Sequence, residues 1–186
     1  MNTKQRWLVL AVAAGLLGGC RSSNSAAVDL SVDAAPLTAT RDAGVRPKGN
    51  PQPRLPVGSL EIEQVPRPAR VKLSVEVAAL DQQRQTGLMF RERMGDDEGM
   101  LFAFATERYN NFWMHNTLIP LDMFFIDAEW NVVGVVENAT PLTDDPRGVD
   151  KMSRYVLEVN AGFAARHGFG PGATVKFAPP QGVVMP

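Results

Sequence analysis

The chain has 186 residues, 19 basic against 20 acidic side chains, and 45 % hydrophobic residues. This fits one ordinary domain and excludes both a disordered chain and a polytopic membrane protein. Residues 61–186 hold 12 basic and 17 acidic side chains, a net of −5. Such a charge leaves no footprint for phosphate backbones, so no nucleic-acid partner is expected.

The chain opens on Lys4 and Arg6, then runs apolar from Trp7 to Gly19. Thirteen residues at 1.5 Å each are too short to span a bilayer and suit a secretory signal core. The run ends Leu17-Gly18-Gly19-Cys20, which resembles a bacterial lipobox. The resemblance implies cleavage after residue 19 and lipidation of Cys20, which is also the chain's one cysteine. A lipid anchor at Cys20 predicts the cell envelope as location. Arg21, standing where an Asp would mark inner-membrane retention, points to the outer membrane, facing the periplasm. With no thiol beyond Cys20, the folded part holds no disulfide, cysteine nucleophile or thiolate metal site.

Residues 20–65 read as lipidated cysteine and spacer. Pro36, Pro47, Pro51, Pro53 and Pro56 fall among small polar residues with no aromatic side chain. Such a stretch buries too little apolar surface to offset the entropy of ordering it. Thirteen of the fourteen aromatic residues lie between Phe90 and Phe177. This shift places one domain at 66–180, with 181–186 as a tail.

Within the domain, Val71, Leu73, Val75 and Val77 alternate with Lys72, Ser74 and Glu76, a strand with one wet face. Asp81 is positioned to cap a short helix over residues 82–88. Residues 99–104 and 111–115 read as strands, and Asn116, Thr117 and Pro120 mark a turn or bulge before a strand at 121–126. Residues 127–131 form a hairpin connection into 132–136, followed by a polar loop over 138–150. A strand at 154–159, a helix at 161–167 stopped by Gly168, and a last strand at 174–177 complete the pattern. The predicted fold is mainly β: a compact antiparallel, curved or barrel-like sheet with two short helices.

Four segments then carry a family likeness: Arg84 to Arg91 (RQTGLMFR), Gly99 to Phe102 (GMLF), Phe112 to Asp122 (FWMHNTLIPLD) and Val156 to Gly162 (VLEVNAG). In order and spacing they resemble the DUF192 (domain of unknown function 192) family, over roughly residues 71–178. The resemblance implies a compact β-rich fold, often behind a signal peptide, and no particular activity. Two positions depart from the family pattern: His115 stands where Lys or Arg is usual, and Gly172-Ala173 where Gly-Asp is common.

Polar groups inside apolar segments are the candidate site, because burying them costs energy unless they are partnered. Asp122 lies between Leu121 and Met123, and Glu158 between Leu157 and Val159. One arrangement gathers Asp122, Glu158 and His115 around a cleft as general acid–base groups, with Arg84 or Arg91 holding an anion. The plain structural alternative pairs Arg84 or Arg91 with Glu158 or Asp122 and uses Asn116 and Thr117 to satisfy a bulge. Alternation on a strand puts Trp113, His115 and Thr117 on one face, a wall for a ring-shaped ligand such as a sugar. Met89, Met94, Met100, Met114 and Met123 could with imidazole suit Cu(I), but methionines in apolar strands ordinarily fill gaps, so no metal is expected. No phosphate loop, nucleotide fingerprint or nucleophile motif occurs, so no cofactor is expected.

The expected function is an envelope ligand- or partner-binding module. Its contacts would be Arg84, Arg91, Trp113, His115, Asn116, Thr117, Asp122 and Glu158, and its partner a small polar ligand or an envelope protein. The alternatives are a hydrolase of carbohydrate-like envelope material using Asp122 and Glu158 with His115, and a purely structural assembly module.

Overall fold

A computed structural model describes residues 47–65 and 69–186 of the chain. The expected signal segment, Cys20 and the expected spacer up to residue 46 lie outside the described residues. In chain order the strands are β1 (Val57–Gln64), β2 (Ala69–Ala78), β3 (Glu98–Arg108), β4 (Asn111–Phe112), β5 (Leu121–Ile126), β6 (Val132–Ala139), β7 (Arg147–Gly148), β8 (Ser153–Asn160) and β9 (Thr174–Ala178). Helix α1 (Asp81–Thr86) follows β2, and α2 (Phe163–His167) follows β8.

Seven strands form one curled sheet in the order β6-β5-β8-β3-β2-β1-β9, and β4 pairs with β7 apart from it. All neighbours in the large sheet are antiparallel except β2 and β3, which run parallel and are joined through α1. A bridge between Asn131 and Thr174 brings the start of β6 back toward the start of β9, so the sheet is a half-barrel. Among the described residues, no helix is long and apolar enough to cross a membrane.

The expected fold class holds, and the reason lies in which strands are apolar on both faces. Every strand of the sheet sends side chains into the inner core, among them Leu60, Ile62, Leu73, Val75, Leu101, Phe124, Val132, Leu157 and Val175. Helix α2 adds Phe163 and Ala164, and Trp130 stacks on Tyr155 at 4.0 Å. The central strands β3, β8 and β5 bury their outer face as well, under Leu88, Met114 and Ile119 from the connecting segments. A strand covered on both sides reads as an unbroken apolar run. All six residues of β5 are buried.

Several elements differ from expectation. Strand β1 lies inside the stretch whose composition reads as spacer; Leu60 and Ile62 are fully buried in it. The residues before it also pack: the Gln52 side-chain amide donates to the Gly87 carbonyl at 2.8 Å, and Leu55 joins the outer core. The N-cap position of α1 is Leu80 rather than Asp81, because Gln83 Oε1 accepts the N–H groups of Ala79 (3.0 Å) and Leu80 (2.9 Å). The strand expected over 111–115 is only Asn111–Phe112, since the chain turns at His115 and Asn116, where Asn116 takes φ 53°. Glu76, expected on the wet face of β2, is 3 % exposed.

Candidate functional site

The outer face of the central strands is not fully covered. Between the end of α1, the far part of β3 and the segment 109–117 lies a cleft of about 510 Å³. Its apolar wall is an edge-to-face cluster: the Phe102 and Phe112 rings stand 5.0 Å apart at 87°, and Phe104 meets Phe112 at 6.4 Å. Its rim carries Asp81, Arg84, Arg108, Tyr109, Asn111 and Trp113. Gly87 closes one side with φ +48°, and the Phe102 ring approaches within 3.1 Å of where a Cβ would sit. A larger residue there would meet strained backbone and that ring together.

Glu158 reaches this cleft from the middle of β8 and keeps only 4 % exposure. It is paired laterally with Met100 on β3 and Met123 on β5, both fully buried. Thioethers offer no hydrogen to a carboxyl. Among the described residues no side chain or backbone N–H pairs with the Glu158 carboxyl, whose oxygens open onto the cleft rather than being sealed in the core. Burial alone therefore pushes it up to about 8, from an ordinary value of 4.5. Near neutral pH it is mostly protonated and can either donate or accept a hydrogen bond.

The other predicted site residues divide between the cleft and elsewhere. Trp113 is half exposed on the cleft rim, and buried Thr117 lines it. Arg84 lines it too, but is already committed: its guanidinium donates to the Ala79 carbonyl, to the Ala103 carbonyl at 2.7 Å and to the Asp81 carboxylate. The expected pairing of Arg84 with Glu158 or Asp122 is absent. So is that of Arg91, which is buried and bonds to both carboxylate oxygens of Glu76, Nη2 to Oε2 at 2.7 Å. Arg91 borders a second, open depression beside Arg54 and Phe90.

Asp122 lies opposite Val159, a residue of the inner core, so its side chain is on the other face of the sheet from Glu158. It is fully buried and accepts the backbone N–H groups of Asn138 at 2.8 Å and Ala164, in the first turn of α2, at 2.9 Å. Both donors lack any other way to be satisfied there, since Asn138 sits at φ 53° outside regular pairing and Ala164 is among the unpaired first N–H groups of a helix. Asp122→Ala should therefore cost about 2–3 kcal/mol in urea unfolding.

His115 is likewise outside the cleft lining. Its Nδ1 meets Asp144 Oδ1 at 2.7 Å, and its ring rests 5.4 Å from that of Trp113. Trp113 and His115 thus do adjoin, but through a turn rather than along a strand face. The constellation of Asp122, Glu158 and His115 is not assembled. Asn116 acts through its backbone, its carbonyl accepting the Phe90 N–H at 2.8 Å. Phe90 and Leu142 also take positive φ, and Leu142 N–H donates to the Thr117 carbonyl at 3.1 Å. Two strained residues thus clamp the 116–117 turn beneath the cleft, a kind of strain that collects at sites of function.

Residues 108–111 are cleft-forming and were not singled out from sequence. Arg108 lies over the Phe104 ring at 4.2 Å and donates from Nε to Asn110 Oδ1 at 2.8 Å. Asn110 is fixed in turn by donating to the Ser153 carbonyl at 2.8 Å and to Ser153 Oγ at 2.9 Å. The available signal was Arg-Tyr-Asn-Asn directly between an apolar strand and Phe112-Trp113.

Residues 64–177 match DUF192, described as "Uncharacterized ACR". The chain belongs to the DUF192 family. Among solved structures it is similar to a Sinorhizobium meliloti protein described as a candidate transcription regulator. That likeness has 34 % identity and a TM-score of 0.65, over 68 % of this chain and 97 % of the other. It is also similar to a Novosphingobium aromaticivorans protein described as of unknown function, with 33 % identity and a TM-score of 0.64. There the coverage is 72 % of this chain and 94 % of the other. No curated protein matches. The DUF192 match thus takes in Arg84 and the other cleft residues up to Glu158.

Proposed function

We propose that this DUF192 protein is an envelope-anchored binding module that takes a small polar ligand in the cleft floored by Glu158. One observation carries the reading: a buried carboxyl without a partner opens onto a cleft with aromatic walls and a polar rim. Folding tolerates the cost of such a group most readily where a ligand supplies what the protein withholds. The lipobox-like Cys20 supports the envelope location, and the Pro-rich stretch after it would hold the domain off the bilayer. Acid–base hydrolysis by paired carboxylates draws no support from this cleft, because Asp122 faces the other core and Asp81 is bound to Arg84.

The test is a thermal-shift screen of the full chain against sugars, amino sugars and dipeptides, repeated on Trp113→Ala. Trp113 is half exposed, so its loss should change unliganded stability by less than about 0.5 kcal/mol. It should weaken any ligand that binds the cleft at least tenfold. A ligand that binds both forms equally, or a screen without a hit, would overturn the reading.

A further inference from the structure

We propose that the ligand of this cleft is a small zwitterion with the reach of a dipeptide, its ammonium seated on the Glu158 carboxylate and its carboxylate on the Arg108 guanidinium. This rests on the binding reading above and names the ligand class.

The floor supplies the first half of the argument. Glu158 is flanked by Met100, Met123 and the phenylalanine cluster, none of which can donate a hydrogen bond. Only something entering the cleft can satisfy it. A hydroxyl would bring one donor, whereas an ammonium brings three donors and the opposite charge. Phe104 already holds cations against its face, Arg108 at 4.2 Å and Arg84 at 5.1 Å, and Phe102 and Phe112 line the same wall.

The rim supplies the second half. Of the two cleft arginines, Arg84 is engaged by Ala79, Ala103 and Asp81, the last a carboxylate that balances its charge. Arg108 is exposed, and among the described residues no carboxylate pairs with it. It is nonetheless held in place, by Asn110 at Nε and by the Phe104 ring beneath its plane. A guanidinium positioned in this way presents a fork suited to bidentate binding of a carboxylate.

The spacing selects the length. Phe104, which carries Arg108, lies four residues along β3 from Met100, the partner of Glu158. That is roughly 13 Å along the strand. The backbone positions from which the two groups rise are thus farther apart than a single α-amino acid reaches. They suit a chain of two residues, about 7 Å end to end, with a hydrogen bond at each end.

Calorimetry on the full chain at pH 7 tests this with four probes: alanyl-alanine, its N-acetyl form, its C-terminal amide, and N,N′-diacetylchitobiose as a neutral disaccharide. Alanyl-alanine should bind, and each capped form should bind at least tenfold more weakly. Because ammonium binding requires the carboxylate, uptake should release about one proton per ligand, read from buffers of different ionisation heat. Glu158→Gln should abolish that release and lower affinity at least tenfold. Arg108→Gln should weaken the free dipeptide but leave the amide unchanged. Equal binding of capped and free forms, or absence of dipeptide binding, would overturn the zwitterion. Binding of the disaccharide instead would overturn it while leaving the cleft as the site. Dipeptide binding unaffected by both Glu158→Gln and Trp113→Ala would overturn the cleft reading as well.

Discussion

Stability should fall as the pH rises from about 4.5 to about 8, and Glu158→Gln should remove most of that fall. In the unfolded chain Glu158 titrates near 4.5, whereas burial raises it to about 8 in the fold. Below 4.5 both states hold the proton and nothing is gained or lost. Between the two values the folded chain keeps a proton that the unfolded chain has released, so raising the pH favours unfolding. Above 8 both states have lost it and the curve levels. A carboxyl raised from 4.5 to about 8 corresponds to a change on the order of 5 kcal/mol across that range. That is a large share of the 5–15 kcal/mol that typically holds a domain together. Urea midpoints at pH 5 and pH 8.5 measure it. At pH 5, wild type and Glu158→Gln should agree within about 1 kcal/mol, since a protonated carboxyl and an amide differ little in charge. At pH 8.5 the variant should be the more stable by several kcal/mol. A flat wild-type curve would mean that water or a partner already satisfies Glu158, so that no ligand is needed there.

The same residue shows what the sequence could and could not disclose. A glutamate inside Val-Leu-Glu-Val is conspicuous, because it breaks the apolar, buried stretch from Tyr155 to Val159 in β8. Its neighbours across the sheet were not legible, since pairing of β8 with β3 and β5 is set by long-range register. Asp122 was equally conspicuous but has a different explanation. It accepts N–H groups 16 and 42 residues away, and only the packed fold shows that both arrive at its carboxylate. Strands β3, β5 and β8 were readable from their apolar stretches at 99–104, 123–126 and 155–157, which are buried on both faces. Strand β1 was not, although Leu60 and Ile62 alternate with Ser59, Glu61 and Glu63. Its Pro-rich flank dominated the local composition, and its other edge is completed by β9, more than a hundred residues away. Arg108 is inconspicuous in the sequence because a guanidinium after a strand is ordinary; the aromatic ring and the asparagine that fix it are what distinguish it.

Glu76 and Arg91 form a buried ion pair on the outer face of the sheet, and breaking it should destabilise the fold by about 3–5 kcal/mol. Burial opposes charging Glu76, but hydrogen bonds from Arg91, the Leu55 N–H and Arg54 outweigh it and hold the carboxyl below its ordinary range. Arg91→Met leaves that carboxylate at 3 % exposure with Arg54, itself largely in solvent, and one backbone N–H at 2.8 Å. Glu76→Met strands the buried guanidinium instead. The two changes together remove both charges, so the double variant should be more stable than either single one, a coupling readable from urea unfolding of all four proteins. Additive losses would show that the pair contributes through packing rather than charge. The consequence extends to the cleft. Glu76 anchors Leu55 and Arg54, and three residues earlier Gln52 holds the carbonyl of Gly87, which lines the cleft. Arg91→Met should therefore speed hydrogen exchange at the Leu55 amide at pH 7 while leaving that of Ala164, bound to Asp122 on the other face, nearly unchanged. Equal acceleration at both amides would mean that the loss is global, and that the segment before β1 is not coupled to this face through Glu76.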